Sequence, residues 1–328
     1  MKKSMTGTAI GTAAGIAAAI TAGIGTAIAG RLAGEYFFHI ALDAATDKSA
    51  LLKPAPGTMK AEKRLGKERN AGAEVKILKA QYEDREIMSF DHLRLHGYLC
   101  MQSEPNKKWA VLIHGYDDSG LWFGREALAF YQAGFNLLLP DARGHGKSQG
   151  TYVGMGWHDR LDIKKWIYWL VRQYPDSEIV LYGVSMGAAA VMMAAGGNLP
   201  PNVKAAVEDC GYTSAWSVLS YQMKSQFHLP AFPLLYCADF VTRIRAGYGL
   251  KEADALKCVA GTRLPMFFIH GTEDRFVPFK MMKELYDACK SEKECLAVEG
   301  AAHVEAALAG GAAYWDRVFR FVGRYLEA

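Results

Sequence analysis

At 328 residues the chain is long enough for one large core or two modest ones. Hydrophobic residues at 51% and charged residues at 22% are ordinary for a folded domain, and a net charge of +4 with no long block of like charge excludes a nucleic-acid-binding arm. The six cysteines (Cys100, Cys210, Cys237, Cys258, Cys289 and Cys295) form no C-x-x-C pair and no Cys/His group at metal-ligand spacing. They read as small buried hydrophobes that an oxidising compartment could pair, and neither a metal nor any other cofactor is expected.

Lys2 and Lys3 precede residues 4–30, which carry no charge. As a helix this run is roughly 40 Å long, enough to cross about 30 Å of hydrocarbon. Ile10, Ile16, Ile20, Ile24 and Ile28 carry its apolarity, while Gly7, Gly11, Gly15, Ala19, Gly23 and Ala27 repeat every fourth position on one helix face. Residues 1–32 are therefore expected to be a membrane anchor, with the two lysines cytoplasmic and the rest of the chain extracytoplasmic. The rival is a signal peptide cleaved after Ala27-Ile28-Ala29, giving a secreted form, although its apolar region would be nearly twice the usual length. Residues 33–72 shift to a lysine-rich mixture with Pro54, Pro56 and Gly57, read as an amphipathic stretch over 35–52 and a linker beyond.

From residue 73 to the end the pattern is that of a single folded domain. Residues 75–78 and 93–99 alternate like half-buried strands and predict an antiparallel pair. The continuous apolar run 109–113 predicts a strand buried on both faces, and 136–139, 178–182, 203–207, 265–269 and 294–298 predict further strands. Helical spacing over 159–174 and 314–326 places helices between and after them, and the β-α-β alternation predicts a mostly parallel, doubly wound α/β sheet. In such sheets ligands bind at the carboxyl ends of the strands.

Those strand ends hold the chemistry. Gly183-Val184-Ser185-Met186-Gly187 is a G-x-S-x-G turn between a strand and an alanine-rich helix, a sharp bend that presents the serine hydroxyl above the sheet. A serine needs a base, and the base needs a carboxylate to fix its tautomer. Asp274, after the 265–269 strand, and His303, after the 294–298 strand, follow Ser185 in the chain order of a hydrolase triad. Asp209, also just past a strand, is the competing acid, expected instead to anchor the lid or line the site. Gly115 in His114-Gly115-Tyr116 lets the Tyr116 N–H join that of Met186 as a pair of oxyanion donors. The loop from Asp141 to Gly150 is read as structural, with Arg143 and Asp141 bracing it and His145 not the base.

With its G-V-S-M-G elbow, H-G-Y turn, D-x-R-G-H-G-x-S loop and H-G-x-x-D-x-x-V-P segment, the chain from about residue 73 onward resembles the α/β-hydrolases. It is most similar to the bacterial branch of monoacylglycerol lipase-like, serine aminopeptidase-like and cinnamoyl-esterase-like enzymes. The resemblance implies the α/β-hydrolase fold, with Ser185 as nucleophile, Asp274 as acid, His303 as base, and Tyr116 and Met186 as oxyanion donors. It does not reach the N-terminal hydrophobic helix. Residues 213–264 interrupt the sheet pattern and are expected to form a helical lid carrying Trp216, Tyr221, Met223, Phe227, Phe232, Tyr236 and Phe240. Some of these aromatics are expected to line an apolar acyl pocket.

The reading is a serine hydrolase acting on a small-molecule carboxylic ester through an acyl-enzyme. Its alternatives are a thioesterase, an aminopeptidase or amidase using Glu252 or Asp254 to hold an amine, and a non-catalytic membrane-anchored scaffold.

Overall fold

The apolar runs come together in one eight-stranded sheet. Its strands are β1 (Glu83–Met88), β2 (Arg94–Cys100), β3 (Lys108–Ile113), β4 (Asn136–Pro140), β5 (Glu178–Val184), β6 (Val203–Asp209), β7 (Met266–Gly271) and β8 (Lys293–Val298). The spatial order is β1-β2-β4-β3-β5-β6-β7-β8. β1 and β2 pair antiparallel, as do β2 and β4, and every other neighbouring pair is parallel. The computed structural model describes residues 26–46, 48 and 72–327.

Around the sheet lie α1 (Thr26–Ala41), α2 (Ala73–Ala80), α3 (Arg125–Gln132), α4 (Asp159–Gln173), α5 (Met186–Ala195), α6 (Ala215–Phe227), α7 (Leu234–Ala246), α8 (Ala255–Gly261), α9 (Lys280–Ala288) and α10 (Ala306–Gly323). The two faces have separate cores. Ile179 and Leu181 of β5 pack with α4, α5, α9 and the lid, whereas Val180, Tyr182 and Val184 pack with α3 and α10. Burial on both faces is why β5, after Glu178, is continuously apolar rather than alternating. All six cysteines are free.

Three differences from expectation have local causes. Residues 75–78 are not a strand but part of α2, where Val75 and Leu78, three apart, are buried on one helical side and Ile77 faces outward. Four residues of alternation fit either period, and the strand that pairs with β2 is the polar segment Glu83–Met88. The C-terminal helix begins eight residues earlier than 314, because Gly311 adopts φ 52°, ψ −134° and joins two helical pieces across a kink. At the other end, α1 crosses the expected anchor–linker boundary at residue 32. It lies on the domain, with Ala33, Phe38, Ala41 and Leu42 buried. Among the described residues no helix is long and apolar enough to cross a membrane. Most of the expected anchor and the proline-containing linker lie outside the described residues.

Residues 213–264 form the helical layer that the break in the sheet pattern predicted, through α6, α7 and α8. Its aromatics divide by face. Met223 is buried and Trp216 and Tyr221 are half-buried, while Phe227, Phe232, Tyr236 and Phe240 are exposed.

Candidate active site

β5 runs into α5 through Ser185, whose backbone takes φ 57°, ψ −117°. A non-glycine residue held there costs on the order of 1–3 kcal/mol and must be over-determined by its surroundings. Two glycines make the bend sterically possible. A Cβ on Gly183 would lie 2.4 Å from the Gly187 carbonyl oxygen, and one on Gly187 would lie 2.0 Å from that of Ile113. The Ser185 N–H donates to the Asp209 carbonyl at 2.8 Å, tying the bend to the end of β6. Ser185 is 7% exposed, and its hydroxyl lies 2.9 Å from His303 Nε2.

His303 follows β8 and Asp274 follows β7, and His303 Nδ1 donates to Asp274 Oδ2 at 2.7 Å. The His303 side chain is 16% exposed and the Asp274 carboxylate is fully buried. Burial alone would raise the pKa of this carboxyl. The charge and hydrogen bonds of His303 and His270 outweigh it and hold Asp274 well below the usual carboxylate range. The other carboxylate oxygen accepts the N–H groups of Phe276 at 2.8 Å and Val277 at 2.9 Å. His270 Nε2 sits 3.1 Å from Asp274 Oδ2 and 2.9 Å from the Val277 carbonyl. Phe276 packs its ring 4.9 Å from that of His303, and Gln222 of α6 donates to the Phe276 carbonyl. The lid thus holds the acid's loop.

The loop after β3 is positioned by a neutral histidine. Ala142 N–H donates to His114 Nε2 at 2.9 Å, so Nδ1 carries the proton and donates to the Gly115 carbonyl at 2.7 Å. Burial, with the neighbouring His145, pushes the His114 pKa down to about 3. The loop comes against the serine: a Cβ on Gly115 would be 3.4 Å from Ser185 Cβ. Tyr116 follows directly, its hydroxyl donating to the Ala41 carbonyl of α1. Met186 is the first residue of α5, where no intrahelical carbonyl is available to its N–H.

The remaining candidates have structural partners. His145 donates from Nδ1 to the Arg143 carbonyl at 2.9 Å and accepts the Asp117 N–H at 3.3 Å, so both ring nitrogens are occupied away from Ser185. Asp141 accepts from Gly120 N–H, Lys147 N–H and His96 Nδ1. Arg143 is fully buried and forks onto both Asp162 and Asp91. Asp209 takes the Tyr314 hydroxyl at 2.7 Å, tying the end of β6 to α10. Glu208, beside it, accepts the Gly211 N–H at 2.9 Å, and burial pushes its pKa up to about 8.

Sequence reasoning did not single out His114, His270, Gln222 or Tyr314 as supports. Each histidine stands in a His-Gly pair at a strand end, which is a readable signal, but the tasks of Gln222 and Tyr314 depend on segments far away in the chain. As a metal site, the closest set among the described residues is Cys210, Asp274 and His303, whose ligand atoms lie within 4.8 Å of one another. Asp274 and His303 already bond each other, and burial raises the Cys210 thiol well above its ordinary pKa. The set does not fit a resident metal.

Comparison with known proteins follows the same lines. The family described as serine aminopeptidase, S33, matches residues 104–215, the segment from β3 through the serine turn to the start of the lid. An esterase of Pyrococcus furiosus superposes with a TM-score of 0.64 at 26% identity, covering 79% of this chain and 97% of that one. These likenesses, with the sheet order already described, show the α/β-hydrolase fold. The B. subtilis protein YqkD is 27% identical over 229 residues, 68% of this hydrolase and 74% of YqkD. A Pyrococcus horikoshii acylaminoacyl peptidase shares the fold, with a TM-score of 0.58 at 17% identity over 78% of this chain and 44% of its own.

Proposed function

We propose that this hydrolase cleaves a carboxylic ester by a serine mechanism, with Ser185 as nucleophile, His303 as general base and then acid, and Asp274 as the orienting carboxylate. What carries the reading is the continuous path from Ser185 Oγ to His303 Nε2 at 2.9 Å and from His303 Nδ1 to Asp274 Oδ2 at 2.7 Å. Ser185 Oγ attacks the ester carbonyl carbon as its proton passes to His303 Nε2, and Asp274 stabilises the imidazolium so formed. The negative charge on the carbonyl oxygen is met by the N–H groups of Met186 and Tyr116. The alcohol leaves with the proton from His303, and water, deprotonated by the same nitrogen, then releases the acid.

An ester is favoured over an aminoacyl substrate because the lid's two candidate amine holders are already engaged. Glu252 bonds Arg243, and Asp254 caps α8 by accepting the Lys257 N–H at 2.9 Å. An apolar acyl group is supported by Met223, which is buried, and by Trp216, which is half-buried and packs against the same core. An extracytoplasmic position for the domain is supported by the lysines that precede the uncharged N-terminal run.

Labelling with a fluorophosphonate probe tests the nucleophile. The native protein should be labelled and a folded Ser185→Ala variant should not; an unlabelled, folded native protein would end the serine reading. A panel of esters of increasing acyl length, run beside thioesters and aminoacyl amides, then tests the leaving group and the acyl preference.

A further inference from the structure

The Tyr116 N–H has no acceptor among the described residues. A donor kept for a developing charge needs that freedom, and is then aimed only by whatever holds the rest of its residue. On one side His114 is fixed by Ala142 and Gly115. On the other the Asp117 N–H donates to His145 Nε2 at 3.3 Å, a long bond. The Tyr116 side chain supplies the remaining anchor, its hydroxyl donating to the carbonyl of Ala41, 75 residues earlier in the chain. Ala41 is the last residue of α1, where carbonyls have no intrahelical N–H to accept. Leu42 and Asp43 both turn their N–H groups to the Phe38 carbonyl, which leaves that of Ala41 to the phenol.

The position of that carbonyl is set by how α1 is seated. Gly30 and Gly34, one turn apart, face α7: a Cβ on Gly30 would be 3.4 Å from Cys237 Sγ, and one on Gly34 would be 2.4 Å from the Cys237 carbonyl oxygen and 2.7 Å from Val241 Cγ2. Glu35 accepts from Arg245 of α7 at 2.7 Å. Further along, Phe38, Ala41 and Leu42 are buried in the core that also holds Met186, the other proposed oxyanion donor. Past the helix, the Val153 N–H donates to the Leu42 carbonyl at 2.7 Å and the Ala44 N–H to the Thr151 carbonyl at 3.1 Å, an antiparallel bridge centred on Asp43 and Tyr152. α1 thus joins the lid helix α7 to the loop after β3.

We propose that α1 is a positioning element of the active site: the Ala41 carbonyl, by holding the Tyr116 hydroxyl, aims the Tyr116 N–H at the substrate oxygen that becomes negative in the transition state. Given the serine-hydrolase reading, on which this point rests, full rate then requires α1 to be docked on α7. A tether of this kind serves the transition state more than the bound substrate, whose carbonyl oxygen is not yet charged. Its loss should therefore appear in kcat and leave KM nearly unchanged. A hydrogen bond that only stabilised the fold would lower the melting temperature and leave kcat alone.

The test uses the full chain and a soluble short-chain ester. Tyr116→Phe keeps the N–H and removes only the hydroxyl, Gly34→Val forces α1 away from α7, and the double variant combines them. Tyr116→Phe should lower kcat about tenfold, part of the roughly 10²–10³ that a whole oxyanion donor is worth, with KM within about twofold. The inhibition constant of a trifluoromethyl ketone, whose adduct with Ser185 carries the same oxyanion, should rise by about the same factor. Gly34→Val should act through the same tether, so the double variant should match the slower single variant within about twofold. Rate losses that multiply in the double variant would overturn the proposal, as would a Tyr116→Phe protein with native kcat or with a change in KM alone. Thermal unfolding checks that the variants are folded; if Gly34→Val is not, the Tyr116→Phe kinetics and the ketone decide alone. Fluorophosphonate labelling reads the serine chemistry separately. An unlabelled, folded native protein ends the hydrolase reading, whereas a labelled one with an unimpaired Tyr116→Phe variant ends only the tether.

Discussion

At the carboxyl edge of the sheet, Asp274 takes hydrogen bonds from four groups, His114 uses both ring nitrogens, and Ser185 is held in a strained backbone by glycines with no room for a Cβ. The layer of α1, α6 and α7 is joined to the body mostly by apolar packing and turns a row of large side chains outward. A polar network is directional and fails when one member is lost. Apolar packing tolerates exchange of side chains of similar volume. The chemistry should therefore be brittle and the choice of substrate adjustable, and this contrast can be broken at either side.

The largest effect is expected from Asp274→Asn, which leaves the shape but removes the charge that fixes the His303 tautomer. kcat should fall about 10⁴-fold with KM little changed, measured on a soluble short-chain ester. A loss of less than about tenfold would mean that another acid serves His303. Next is His114→Leu, which leaves the Ala142 N–H and Gly115 carbonyl without their partner and frees the loop carrying Tyr116. The kcat should drop about 10²-fold while Ser185 still reacts with the phosphonate, since loss of one oxyanion donor costs 10²–10³.

On the lid side, Trp216→Ala should leave kcat on short esters within about twofold and lower kcat/KM for long acyl esters about tenfold, the effect of removing a few methylene contacts. If short and long esters suffered equally, the lid would belong to the catalytic network and the contrast would fail.

The smallest effect on rate, but a clear one on stability, is expected for Glu208→Gln. Burial raises this carboxyl from the ordinary value of 4.5 to about 8. The folded protein keeps the proton over an interval in which the unfolded chain has released it. The resulting stability is fully present below about pH 4.5 and is lost as pH rises to about 8. The substitution should flatten that decline in denaturant titrations across the interval, with activity near neutral pH unchanged. His114 has the opposite sign. With its pKa pushed down to about 3, it contributes stability that is present above pH 6.5 and lost as pH falls toward 3.

Much of this was legible in the chain. The segments 109–113, 179–182 and 266–269 lie within strands because burial on both faces demands apolar residues throughout, a property visible in the sequence. The order of Ser185, Asp274 and His303 was equally visible, because each follows a strand and parallel strands bring their carboxyl ends to one edge. Residues 75–78 are ambiguous in sequence because a one-turn window carries both periods, and only burial of Val75 and Leu78 selects the helix.

What the sequence by itself determined is therefore the sheet and the meeting of serine, histidine and carboxylate, all set by local pattern and chain order. Tertiary structure alone decided the surroundings: His270 behind Asp274, Gln222 holding its loop, Asp209 given to Tyr314, and α1 laid along α7 with four large side chains left outward. Apart from the His270–Asp274 pair, four residues apart, these contacts join segments tens to hundreds of residues apart, and no spacing along the chain encodes which polar group will face which. Only the close approach of packed elements assigns the partners.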